Sequence, residues 1–124
     1  MIGYTMLGTN DAARAKAFYD PLLGLLGAKA NADWSSDTRT FYMAAAGAPM
    51  LVVGRPYDDA AATAGNGTMV ALTAPSREVI DEIYAKAIAT GATDEGAPGL
   101  RGDAFYGAYF RDADGNKICV FKFG

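Results

Sequence analysis

Tyr4-Thr5-Met6-Leu7 is answered about 65 residues later by Met69-Val70-Ala71-Leu72, and that repetition decides how the rest of the chain reads. Working outward, the stretch ending Ala17-Phe18-Tyr19 is matched by the one ending Glu82-Ile83-Tyr84. Gly27-Ala28 is matched by Gly91-Ala92, and Phe41-Tyr42 by Phe105-Tyr106. Two long copies do not suggest a solenoid, whose short units need several neighbours to bury a core. They point instead to two similar modules closing on each other around a central cleft, within one domain spanning residues 1–124. Module one covers about 1–56, a small and polar linker about 57–66, and module two about 67–124.

Each module reads βαβββ. In the first, Ile2 to Gly8 is bulky and apolar enough for a strand, and Asn10-Asp11 offers side-chain oxygens to cap a helix. Ala15, Phe18, Leu22, Leu25 and Leu26 recur at spacings of three and four, so one helix face is apolar. Pro21 falls inside this pattern and is expected to kink or break the helix. Strands are expected over 29–34, 38–45 and 49–55, the last two joined by Ala46-Gly47-Ala48. In the second module, Thr68 to Thr73 is a strand and Pro75-Ser76 opens a helix. Val79, Ile80, Ile83, Tyr84, Ala87 and Ile88 form its apolar stripe, and Gly91 ends it. A short strand over 92–95, a loop over 96–102, a strand to Arg111, the Asp112-Ala113-Asp114-Gly115-Asn116 turn and a last strand over 117–123 complete the order. The expected fold is α+β, an open, curled mixed sheet.

Composition narrows the functions. The 124 residues are 51% hydrophobic and 20% charged with a net charge of −3, which leaves no basic footprint for nucleic acid. No apolar run approaches the length of a membrane span, and the N-terminus has no charged region followed by an apolar core, so no signal peptide is read. One cysteine cannot form an internal disulfide, which fits the cytoplasm. The absence of histidine removes the commonest general base and the commonest transition-metal ligand together.

The opening strand with Asn10-Asp11 and Ala17-Phe18-Tyr19, the Gly65-Asn66-Gly67 entry to module two, and Asp112-x-Asp114-Gly115-Asn116-x-Ile118 occur in an order that resembles the vicinal oxygen chelate superfamily. That superfamily includes glyoxalase I, bleomycin-resistance proteins and extradiol dioxygenases. The resemblance covers nearly the whole chain and implies paired βαβββ modules around a cleft, with a homodimer as a plausible assembly. It also implies a divalent metal held by His, Gln and Glu on the first and last strands of each module. Carried over, those positions hold Tyr4, Met69 and Cys119, with only Met50, Leu51, Val52 and Val53 near the fourth. A phenol, a thioether and a thiol are a poor set for Mg²⁺, Mn²⁺ or Fe²⁺. No metal and no cofactor are therefore expected. A soft ion such as Cu(I) would find only Met69 and Cys119.

Strand alternation places Ile118 and Val120 toward the helix, and Cys119 and Phe121 on the cleft side. Cys119 reads either as a small buried apolar residue or as a nucleophile, which would need a nearby cation such as Lys117 or Lys122 to lower its pKa. Tyr4 reads as an aromatic lining or as a hydrogen-bond donor and general acid. Trp34, Tyr42, Tyr57, Tyr106 and Tyr109 are aromatic candidates for the cleft. Arg55 and Arg101 are candidates for gripping a carboxylate or phosphate, or are solvated surface side chains. Asp112 to Asn116 lacks the later ligands of a calcium loop, so it reads as a hairpin turn. Two functions follow. The first is a metal-free protein that binds a small organic ligand in an aromatic cleft. The alternative is a glyoxalase-like lyase or dioxygenase-type enzyme using non-standard cleft residues or an atypical metal, with Tyr4 and Cys119 as its catalytic pair.

Overall fold

The computed structural model describes all residues, Met1–Gly124. They form two compact units, Met1–Thr63 and Ala64–Gly124, each a four-stranded mixed sheet with one helix against it.

In the first unit the elements are β1 (Tyr4–Gly8), α1 (Ala12–Gly24), β2 (Lys29–Ala30), β3 (Arg39–Met43) and β4 (Met50–Gly54). The sheet order is β1-β4-β3-β2, with β1 parallel to β4 and the other pairs antiparallel. Asp11 caps α1 by accepting from the Arg14 N–H at 3.0 Å, satisfying a donor the first helical turn cannot use internally. Leu22 and Leu23 of α1 and Leu7, Leu51 and Val53 of the sheet are buried between the layers. Pro21 does not break the helix, which runs on to Gly24. It falls in the last turn, where its missing N–H forfeits one bond and its ring has little helix beyond it to disturb.

The strand expected over 29–34 shrinks to two residues. Asn31 turns the chain instead, its Oδ1 accepting from the N–H groups of Asp33 and Trp34. The stretch 56–63 lies against the first unit. There the Asn10 side chain accepts from the Ala62 N–H at 2.7 Å and donates to the Ala62 carbonyl at 3.2 Å.

The second unit contains β5 (Val70–Thr73), α2 (Arg77–Ala89), β6 (Thr93–Arg101), β7 (Phe105–Arg111) and β8 (Lys117–Phe123), in sheet order β5-β8-β7-β6. Ser76 caps α2 by accepting from the Val79 N–H, and Glu78 and Lys86 sit at the helix ends that favour their charges. Ile80, Ile83 and Ala87 of α2 and Ala108, Phe110, Ile118 and Val120 of the sheet are buried. The expected loop over 96–102 is mostly strand: β6 pairs with β7 through register shifts at Asp94/Gly96 and Gly96/Gly99. These bulges hid the strand from a reading by alternation. Gly96 sits at φ +154, and a Cβ there would press on Arg101 and Tyr109.

One element of the repeat is also corrected. Tyr4 pairs with Met50, and the β5–β8 register carries Met69 to the level of Lys117, so Val52 is the counterpart of Cys119. Phe41 pairs with Val52 and Tyr109 with Cys119. The counterpart of Phe41 is therefore Tyr109, not Phe105. β7 begins earlier against its partner than β3 does, so the two Phe-Tyr dipeptides stand at different levels of their sheets.

Candidate functional site

Each sheet has one face against its helix and one turned away. In the first unit, alternation from Leu7 and Leu51 puts Tyr4, Met6, Phe41, Met50 and Val52 on the side away from α1. Tyr4 and Trp34 are both more than half exposed, and each meets Phe41 edge-on, at ring separations of 6.3 and 6.0 Å. Such T-shaped contacts align the positive ring edge with the negative face of its neighbour. Tyr4 and Trp34 thus share one aromatic cluster through Phe41, which sequence reasoning had not singled out.

Tyr42 is not part of it. It is buried on the α1 face, and its hydroxyl donates to Asp20 of α1 at 2.7 Å. Burial first, then the Asp20 carboxylate, raises the Tyr42 pKa far above the usual phenol value, so this group stays neutral. Tyr106 is likewise on the helix side: it donates to Asp81 of α2 at 2.6 Å, and Arg77 stacks over its ring. Both tyrosines tie a strand to a helix and leave the ligand-site set. Tyr57 is fully exposed. Arg55 borders a cavity of ≈ 150 Å³ with Thr9, Asn10 and Ala12, but Asp59 lines the same cavity and pairs with it at 3.6 Å. That carboxylate neutralises the charge an anion would seek.

In the second unit the face away from α2 carries Lys117, Cys119, Phe121 and Phe123 of β8 with Phe105, Gly107, Tyr109 and Arg111 of β7. Met69, just before β5, is partly exposed. Cys119 is buried and stands directly opposite Tyr109 in the β7–β8 register. Burial pushes the thiol pKa up, and the Tyr109 hydroxyl, Arg101 and Lys117 only partly oppose it. Of the two lysines named by sequence reasoning as activators, only Lys117 is close, since Lys122 falls on the other face of β8, and burial outweighs Lys117 and Arg101 together. The Tyr109 pKa is raised as well, mainly by burial and next by Cys119. Arg101 lies over the Tyr109 ring at 5.4 Å and Lys117 at 5.8 Å. Lys117 was legible as a member of this face, because it precedes Cys119 by two residues on one strand.

The family resemblance implies a divalent metal at the positions of Tyr4, Met69 and Cys119. Tyr4, Met69 and Cys119 supply a phenol, a thioether and a thiol held protonated by burial. No three His, Cys, Asp or Glu side chains cluster anywhere in the chain. These groups do not fit a hard divalent ion, which wants several anionic or neutral oxygens or imidazoles.

Comparison with known proteins agrees with the fold. The family model described as the Glyoxalase/Bleomycin resistance protein/Dioxygenase superfamily matches residues 1–120. A crystal structure of a glyoxalase/bleomycin resistance protein from Albidiferax ferrireducens T118 is 38% identical, with a TM-score of 0.87 over 98% of this chain and 97% of that one. A glyoxalase/bleomycin resistance protein/dioxygenase family enzyme from Burkholderia phytofirmans PsJN is 20% identical, with a TM-score of 0.78 over 98% of both chains. A protein from Agrobacterium tumefaciens, solved by NMR, is 22% identical at a TM-score of 0.73 over 100% of this chain and 98% of that one. No curated protein matches. None of the helices is long and apolar enough to cross a membrane.

Proposed function

The chain belongs to the Glyoxalase/Bleomycin resistance protein/Dioxygenase superfamily, and from that premise we propose that it binds a small organic molecule on its aromatic sheet faces without a hard metal ion. The observation that carries this reading is the substitution at the implied ligand positions. Tyr4 stands in an aromatic cluster with Phe41 and Trp34, and Cys119 lies buried beside Tyr109. Aromatic rings provide large, rigid contact area, and their polar ends fix orientation. The raised Cys119 pKa weighs against the alternative of a cysteine nucleophile, since the thiolate is the reactive form. Sequestration or sensing of the ligand follows more directly from these residues than turnover does.

A thermal-shift screen of small organic compounds, run with and without EDTA, tests the proposal. Ligands that bind only the folded state raise the apparent melting temperature by mass action. The expected outcome is hits whose shifts survive EDTA. Stoichiometric binding of Ni²⁺, Zn²⁺ or Fe²⁺, together with loss of every ligand shift on chelation, would overturn it.

A further inference from the structure

Charge on the face of the second unit away from α2 is unevenly balanced. Arg111 is paired with Glu95 and also donates to the Gly115 carbonyl. Lys117 stands directly opposite Arg111 in the β7–β8 register, where a like charge is unfavourable. Arg101 donates from Nη1 to the carbonyls of Gly99 and Gly107, at 2.8 and 2.7 Å, and from Nη2 to that of Ala97 at 2.8 Å. A guanidinium has five N–H donors, so two remain unspent. The carbonyls hold the group in place without cancelling its charge. Neither Arg101 nor Lys117 forms an ion pair. Two uncompensated cations thus flank one Tyr109 ring in a chain whose net charge is −3.

Beside them lies a flat apolar platform. Phe105 stacks on Phe121 with ring centroids 5.0 Å apart and planes 10° apart. The Phe105 ring occupies the space a side chain at Gly107 would need, since a Cβ there would come within 2.6 Å of Phe105 Cε1. The platform therefore depends on a glycine that pairs directly with Phe121.

We propose that this face recognises the carboxylate of a small aromatic acid, with Arg101 and Lys117 holding the anion and Tyr109 and the Phe105–Phe121 pair bearing its body. This rests on the metal-free binding reading above and names its ligand class. A guanidinium fixed by three carbonyls loses little freedom when an anion arrives, so its remaining donors act at low entropic cost.

The test is a ¹H–¹⁵N NMR titration in EDTA with benzoate and phenylacetate against their neutral isosteres, benzamide and phenylacetamide. The acids should shift the amides of Arg101, Tyr109, Lys117 and Cys119 saturably, and the neutral compounds should bind about tenfold more weakly. Arg101 variants risk unclasping β6, so Lys117→Gln is the informative substitution. It should weaken the acids about fivefold and leave the neutral compounds and the far-UV circular dichroism unchanged. If the neutral compounds bind as tightly as the acids, or Lys117→Gln binds the acids normally, the anion assignment fails while metal-free binding stands. If acids bind only once Zn²⁺ or Mn²⁺ is added, the metal-free reading fails and this inference with it. Binding of neither class overturns the assignment.

Discussion

Replacing Asp112 by alanine probes the turn that identifies the second module. Asp112 is buried, and its Oδ1 accepts from the N–H groups of Asp114 and Asn116, both at 2.9 Å, while Oδ2 accepts from the Asn116 side-chain amide at 3.0 Å. Asn116 is equally buried. Two of the three donors therefore lose a charged acceptor out of water's easy reach, at about 1–1.5 kcal/mol each, and the Asp114 N–H loses about 0.5 kcal/mol. Asp112→Ala should cost about 3 kcal/mol, a large share of the stability of an ordinary domain. Asp112→Asn keeps an acceptor at Oδ1 and sets an amide against the Asn116 amide, so it should cost about 1 kcal/mol. Urea unfolding followed by far-UV circular dichroism at fixed pH reads both values from the shift in midpoint at constant m. Equal losses for the two variants, or less than about 1 kcal/mol for alanine, would refute this account of the turn.

Tyr42→Phe, which removes a buried hydroxyl from Asp20, should destabilise by about 1–1.5 kcal/mol, and Tyr106→Phe, whose bond to Asp81 is exposed, by about 0.5 kcal/mol; calorimetric melting ranks them, and the reverse order would count against the layer assignment. The folded state holds the Cys119 proton more tightly than the unfolded chain, so stability is fully present below the unfolded thiol's pKa and falls as pH rises toward the folded one. Cys119→Ala should flatten that alkaline loss in denaturation curves taken between about pH 8 and 10, and an unchanged slope would place the loss elsewhere.

The sequence carried most of the fold because the apolar periodicity of both helices and of β1, β4, β5 and β8 answers to simple layer packing. Ser76 and Asp11 cap where short polar side chains at those places should. The failures are local and physical. β6 was hidden because its bulges break the alternation that signals a strand, and Gly96, Pro98 and Gly99 read as loop chemistry. Pro21 lies too near the end of α1 to stop it. At the site, Tyr42 and Tyr106 look like their ligand-facing neighbours in composition; only parity with Leu51 and Lys122 turns them toward the helices. Arg101 gave no hint of its clasp, because its partners are carbonyls of a bulged strand whose spacing no motif encodes.

The corrected alignment of the halves separates what the repeat must keep from what it is free to change. Most positions facing the helices are apolar in both units, as Leu51 and Ile118 are, since each sheet must bury that side against its helix. The opposite faces carry no helix, and there the halves diverge further. Phe41 beside Val52 corresponds to Tyr109 beside Cys119, and Met50 corresponds to Lys117. The first unit's open face carries the Tyr4, Phe41 and Trp34 rings together with Arg39, while the second adds a thiol and two cations, Arg101 and Lys117, that flank a single tyrosine ring. The halves differ most in how charge and aromatic rings are combined on the open face, and that difference points to function. It directs the search toward Arg101, Lys117 and Tyr109, ahead of the positions where the family resemblance implies a metal.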